Sequence, residues 1–216
     1  MSLPKACIFD LDGVIVDTVP AHFIAWKAMA DELNIPFTEE DNEHLKGVSR
    51  VDSMKRILAL GQMTKTDEEI KEMTDKKNAI YVDIISKMTD KDILPGVIDF
   101  IQLLKDNNIA TAIGSSSKNT PTILKAVGLN DTFDAIVDGN QVTHSKPDPE
   151  VFLKGAQKLN VAPEECLVLE DAISGVEAAK NGGMKCIGVG EANILGQADR
   201  VVPDLKNIDI DFLKSL

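Results

Sequence analysis

Two aspartates, Asp10 and Asp12, follow the apolar run Ala6–Phe9 and precede Gly13. Carboxylates at i and i+2 on a tight turn can divide labour, one as nucleophile and metal ligand, the other as proton carrier. Gly13 permits the turn that brings both round. By itself the pair reads equally well as two exposed loop acids. A second acidic pair, Glu170-Asp171, follows the apolar run 166–169. Joined with Asp10 it makes an oxygen-rich set suited to magnesium. Alone, Asp171 also reads as a helix N-cap.

Three further loops carry complementary groups. Ser115, Ser116, Ser117, Lys118 and Asn119 follow the apolar run 110–113. Hydroxyls and free backbone N–H groups ahead of a helix suit a phosphate, or simply cap the helix. Lys146 precedes Pro147 in a loop that also holds Pro149. It is either a fixed positive charge or an ordinary surface lysine. The stretch Leu45-Lys46-Gly47-Val48-Ser49-Arg50 is basic and carries a glycine. It can grip a second anion, or be a solvated loop.

Short apolar runs at 6–9, 110–113, 135–137, 166–169, 185–189 and 201–202 must position these groups. Between most of them lie helix-like segments. Residues 97–106 place Val97, Phe100, Ile101 and Leu104 at i, i+3, i+4 and i+7, and 172–181 ends at Gly182-Gly183, a helix-stop signal. This alternation predicts an α/β fold, a doubly wound parallel sheet with helices on both faces. Ligands of such sheets bind beyond the C-terminal strand ends, where these loops fall.

Residues 16–89 break the pattern, with helical periodicity over 21–33, 51–60 and 68–87 and no convincing strand. We expect a helical cap domain over 16–92 inserted into a Rossmann-like core of 1–15 and 93–216. Its hinges fall near 14–18 and 90–96. Lys77 lies on the apolar stripe of Ile70, Met73, Ile80 and Ile84, and His22 continues that of Trp26, Met29, Ala30 and Leu33. An inward Lys or His is costly without a partner. Either each snorkels at the edge of its stripe or both face a cleft between the domains.

The chain has 216 residues and a formal net charge of −12. That charge opposes binding to nucleic acid or an anionic membrane surface. It permits an anionic small molecule in a locally basic cleft. Cys7, Cys166 and Cys186 are widely spaced and form no disulfide framework or zinc pattern. There is no run near ~18 apolar residues and no leader-like pattern at the start. A cytoplasmic chain is expected.

The order Asp-x-Asp, Ser, Lys-Pro, Glu-Asp, each at a strand end or in the loop beyond, resembles the haloacid dehalogenase superfamily over essentially the whole chain. The inserted cap is similar to that of its helical-cap subgroup. Within it, His22 with Ala25-Trp26-Lys27, residues 45–50 with Ser53, Lys77-Asn78 with Tyr81, and residues 115–119 resemble the β-phosphoglucomutase family.

The resemblance implies an intramolecular phosphotransferase of carbohydrate metabolism. It would interconvert β-D-glucose 1-phosphate and glucose 6-phosphate through β-D-glucose 1,6-bisphosphate, which also serves as activator. Asp10 would become an aspartyl phosphate and Asp12 would act as acid/base, held by Thr18. One magnesium ion would sit on Asp10, the Asp12 carbonyl, Asp171 and Glu170. Ser115 and Lys146 would hold the transferring phosphoryl group. Arg50, Ser117, Lys118 and Asn119 would hold the distal phosphate. Lys46, Gly47, Val48 and Ser53 would shape the cap side, with His22, Trp26 and Lys77 sensing the sugar. A monomer is expected. A phosphatase of the same superfamily, or a non-catalytic sugar-phosphate sensor, remains open at this point.

Overall fold

A computed structural model describes residues 3–216. The first strand, β1 (Ala6–Phe9), is buried at every position. Its side chains alternate: Cys7 and Phe9 enter one apolar core, Ala6 and Ile8 another. A strand buried on both faces belongs in the middle of a parallel sheet. The other strands are β2 (Ala110–Gly114), β3 (Ala135–Val137), β4 (Cys166–Glu170), β5 (Lys185–Val189) and β6 (Arg200–Val202). They pair in the order β3-β2-β1-β4-β5-β6, all parallel. Strand order reverses between β2 and β4, on either side of β1. A crevice opens at that switch point, beyond the strands' C-terminal ends.

Four helices follow β1: α1 (Val19–Glu32), α2 (Glu39–Glu43), α3 (Arg50–Leu60) and α4 (Asp67–Ile85). They enclose a separate apolar cluster that includes Trp26, Met29, Phe37, Met54, Ile57 and Ile70. The chain then returns to the sheet region through α5 (Val97–Asp106) and continues through α6 (Thr120–Ala126), α7 (Glu150–Leu159), α8 (Ile173–Asn181), α9 (Ala192–Leu195) and α10 (Ile210–Lys214). Helices α5, α6 and α10 cover one sheet face; α7, α8 and α9 cover the other. The segments leading to and from the four-helix cluster pair with each other, Leu94 N–H donating to Ile15 O at 2.9 Å and Asp17 N–H to Asp92 O at 3.2 Å.

The helix stop at Gly182-Gly183 takes the expected form. Gly183 has φ +73°, its N–H reaches Lys180 O, and Met184 N–H reaches Ala179 O. Helix α2 was not anticipated. Its signal is present: Thr38 and Asp41 form a capping box, and Glu39, Glu40 and Asp41 fill the first turn. All three cysteines are buried and unpaired. No helix among the described residues is long and apolar enough to cross a membrane.

Candidate active site

Asp10 is the first residue beyond β1, and its N–H still extends the ladder to Leu169 O at 2.9 Å. It is therefore held rigidly at the switch point. Lys146, beyond β3, places its ammonium group 2.6 Å from Asp10 Oδ1 and also hydrogen-bonds Glu170 Oε1. The Lys146 and Glu170 side chains are each 1% exposed. The second Glu170 oxygen accepts the Ala172 N–H at 2.8 Å. Asp12 is held by the Thr18 hydroxyl and, at 3.4 Å, by the Tyr81 hydroxyl from α4.

Carboxylate oxygens of Asp10, Glu170 and Asp171 all lie within 4.8 Å of one another. Gly13, at φ +81°, leaves room for them: a Cβ there would lie 2.2 Å from Asp171 Oδ2. Three converging, all-oxygen donors fit a hard cation such as magnesium. A second His/carboxylate group, His144, Asp148 and Glu150, serves the loop itself. Glu150 accepts the N–H groups of Thr143 and His144 and binds Lys154.

Crowded burial sets the proton affinities. It pushes Asp10 well above the usual carboxylate range, against the pull of Lys146. It also raises Asp12, opposed by the Thr18 hydrogen bond and Lys146. Asp171 is pushed up to about 7 by burial and by Glu170, with Lys46 opposing. Burial alone would lower Lys146, but Asp10 and Glu170 together raise it.

The four-helix layer closes over these groups. Lys46 reaches Asp171 at 3.1 Å and Glu43 at 2.9 Å. Asn119 Nδ2 donates to Asn78 Oδ1 at 2.9 Å. Gly47 packs so tightly on α8 that a Cβ would lie 2.2 Å from Ser174 Oγ. Between the layers lies a cavity of about 450 Å³. Its lining brings together every residue given a catalytic, binding or metal role from the sequence: Asp10, Asp12, Thr18, His22, Trp26, Lys46, Gly47, Val48, Arg50, Ser53, Lys77, Ser115, Ser117, Lys118, Asn119, Lys146, Glu170 and Asp171.

The two stripe anomalies share this explanation. Lys77 is 2% exposed, 3.1 Å from His22 Nδ1, with its ammonium group 4.5 Å from the Trp26 ring centre and 4.4 Å from that of Tyr81. Burial, with Arg50 nearby, lowers Lys77 to about 7. Burial and Lys77 hold His22 well below its ordinary value. The cavity also includes Ser116, Asn78 and Tyr81, which the sequence pointed to without giving each a role, and groups it did not pick out: Asn42 and the wall at Val142, Thr143, His144 and Ser145. Tyr81 falls one turn after Lys77, a spacing that points to it; the 142–145 loop has no local signal.

A family model for haloacid dehalogenase-like hydrolases matches residues 4–183. The chain belongs to this family. A β-phosphoglucomutase of Bacillus subtilis strain 168 is 43% identical over 211 residues, covering 97% of this chain and 93% of that protein. A phosphorylated carbohydrates phosphatase of Thermotoga maritima is 32% identical over 186 residues, covering 85% of this chain and 83% of that protein. The crystal structure of a β-phosphoglucomutase from Clostridium difficile matches with a TM-score of 0.94 and 38% identity, covering 99% of this chain and 96% of that one. The superfamily resemblance, the α/β fold and the expectation of an enzyme are thereby borne out.

Proposed function

We propose that this haloacid dehalogenase-like enzyme is a β-phosphoglucomutase, interconverting β-D-glucose 1-phosphate and β-D-glucose 6-phosphate. The observation that carries the reading is a pair of cavity cations with no carboxylate in ion-pair contact, Asp75 acting on Arg50 only from farther away. Arg50 and Lys118 line the cavity, and neither forms an ion pair among the described residues. A phosphatase needs to hold one phosphate. A mutase must hold a second, distal one, and two cations free of ion pairs in the cavity that also holds Ser115 and Lys146 suit that task.

In this reading residues 1–15 and 93–216 act as the core and 16–92 as a cap. Asp10 attacks a phosphoryl phosphorus, and the bond from phosphorus to the sugar oxygen breaks. Asp12 delivers its proton to that oxygen, a role that suits a carboxyl raised by burial and held by Thr18. The phosphoryl donor in that half is the bisphosphate, which leaves as a monophosphate; in the other half the free 6-hydroxyl of β-D-glucose 1-phosphate attacks the aspartyl phosphate, Asp12 takes its proton, and the bond from phosphorus to Asp10 breaks as the bisphosphate forms. Ser115 and Lys146 hold phosphoryl oxygens where charge spreads. Magnesium on Asp10, the Asp12 carbonyl and Asp171, with Glu170 behind, would neutralise charge on the transferring group. His22, Trp26 and Lys77 face the sugar, and Lys46, Gly47, Val48 and Ser53 hold the cap side. Closure keeps water from the aspartyl phosphate.

The test supplies β-D-glucose 1-phosphate, magnesium and a trace of β-D-glucose 1,6-bisphosphate, and follows glucose 6-phosphate and free phosphate together. The mutase yields isomer without matching phosphate release. Phosphate release equal to substrate loss overturns the reading in favour of a sugar-phosphate phosphatase.

A further inference from the structure

Lys146 enters the cavity from the loop between β3 and α7, and its ammonium group meets both Asp10 and Glu170. Among the described residues, the hydrogen bonds of that loop turn inward, with one exception. Asp148 N–H donates to Ser145 O at 3.0 Å, and Pro149 O accepts from Phe152 and Leu153 in the first turn of α7. The Glu150 carboxylate gathers the Thr143 and His144 N–H groups. Pro147 has no N–H to give. Its carbonyl oxygen is the exception: it accepts Asn181 Nδ2–H at 3.0 Å, from the last residue of α8.

The ordinary roles for an asparagine here are already filled. Gly182 and Gly183 make the stop of α8. Asparagine is a poorer helix former than alanine, and Asn181 is exposed and lies outside the cavity lining. The rest of α8 packs to the same end. Gly182 abuts the same loop, where a Cβ would lie 3.3 Å from Pro149 Cβ. Nearer the start of the helix, Gly175 leaves room for Glu170: a Cβ there would lie 1.8 Å from Oε1, the oxygen that Lys146 binds. One helix thus touches both the backbone that carries Lys146 and the acid that receives it.

We propose that α8 frames Lys146 from behind and that Asn181 is a positioning residue for it, setting from the protein surface how far the ammonium group reaches toward Asp10. The inference rests on Lys146 serving phosphoryl transfer as in the proposed reaction. A side chain carried on a loop is placed only as well as the loop's supporting hydrogen bonds allow. Placement matters, since a displacement of about 1 Å can cost on the order of 100-fold in rate. A carboxamide donor suits the Pro147 carbonyl. A carboxylate of the same shape would oppose it, acceptor against acceptor.

The experiment compares Asn181→Ala, which removes the donor, with Asn181→Asp, which keeps the shape and reverses the polarity. Both are made in the full chain and assayed with β-D-glucose 1-phosphate, magnesium and a trace of the bisphosphate. We expect kcat to fall about 5-fold in Asn181→Ala and further in Asn181→Asp. KM should stay within about twofold of the parent, because the cavity wall is untouched. Melting temperatures should stay within about 3 °C, because the residue is exposed. The proton–nitrogen NMR signal of the Lys146 ammonium group, assigned by its loss in Lys146→Arg, should shift in Asn181→Asp. A residue that serves stability alone lowers the melting temperature and moves neither kcat nor that signal. A kcat within about twofold of the parent in Asn181→Asp, or a Lys146 signal that does not move, overturns the inference. A parent that isomerises no sugar phosphate sinks the mutase reading instead, and the Lys146 signal then decides by itself whether Asn181 places Lys146.

Discussion

Lys146 lies between Asp10 and Glu170 with its side chain 1% exposed, so the three charges compensate one another away from water. Removing one partner of a buried pair leaves the others unmatched, at a cost of about 3–5 kcal/mol. Lys146→Ala should lose stability of that order in urea unfolding and lose phosphoryl transfer as well. Full retention of stability would show that the triad is not coupled. Lys77 behaves in the opposite way. Its amine is lowered to about 7 in the folded chain against 10.5 for the ordinary group. Between those values the unfolded chain holds more protons, so stability rises with pH, and below about 7 the full penalty is felt. Lys77→Met should therefore melt higher than the parent at pH 6. The gain should shrink as pH climbs through 7 toward 10, and melts across that range read it directly. The Trp26 and Tyr81 rings, which favour the ammonium form, make the gain smaller than burial alone implies.

At the scale of elements, two glycines separate backbone need from site need. Gly183 closes α8 at φ +73°, and a Cβ there meets nothing within 4 Å. Gly183→Ala should cost about 1–2 kcal/mol, the strain of a left-handed residue, with activity intact. Gly13 has φ +81°, and its Cβ would drive into Asp171. Gly13→Ala should cost at least as much and also weaken magnesium affinity, read as a rightward shift of the magnesium activation curve. Equal effects of the two changes would remove Gly13 from the metal site. The strands were legible at this scale because each is a short apolar run fed into two cores. Helix α2 was passed over because, at 5 residues, it has too little length for periodicity. Its capping box was the available signal.

At the scale of the whole molecule, the layers are joined by polar contacts, Lys46 to Asp171, Asn119 to Asn78, Tyr81 to Asp12 and Ser174 to the Lys46 carbonyl, and by Ala21, Ala25, Tyr81 and Ile85 of α1 and α4, which share an apolar core with one sheet face. If closure shields the aspartyl phosphate, Lys46→Met should raise phosphate release relative to isomerisation by several-fold, since water gains entry as the cap loosens. An unchanged ratio in the coupled assay would show that Lys46 does not govern closure.

The sequence by itself determined the sheet, the inserted helices and which loops carry chemistry, because periodicity, turn residues and strand-end acids are local properties. It left each motif ambiguous with an ordinary loop. Only the tertiary structure decided that Lys146 meets Asp10, 136 positions away. The same holds for Lys46 pairing with Asp171, and for Lys77 and His22 facing a cavity instead of water. Those outcomes depend on strand order and on how two layers meet. Long-range packing fixes both, and no short window of sequence encodes it.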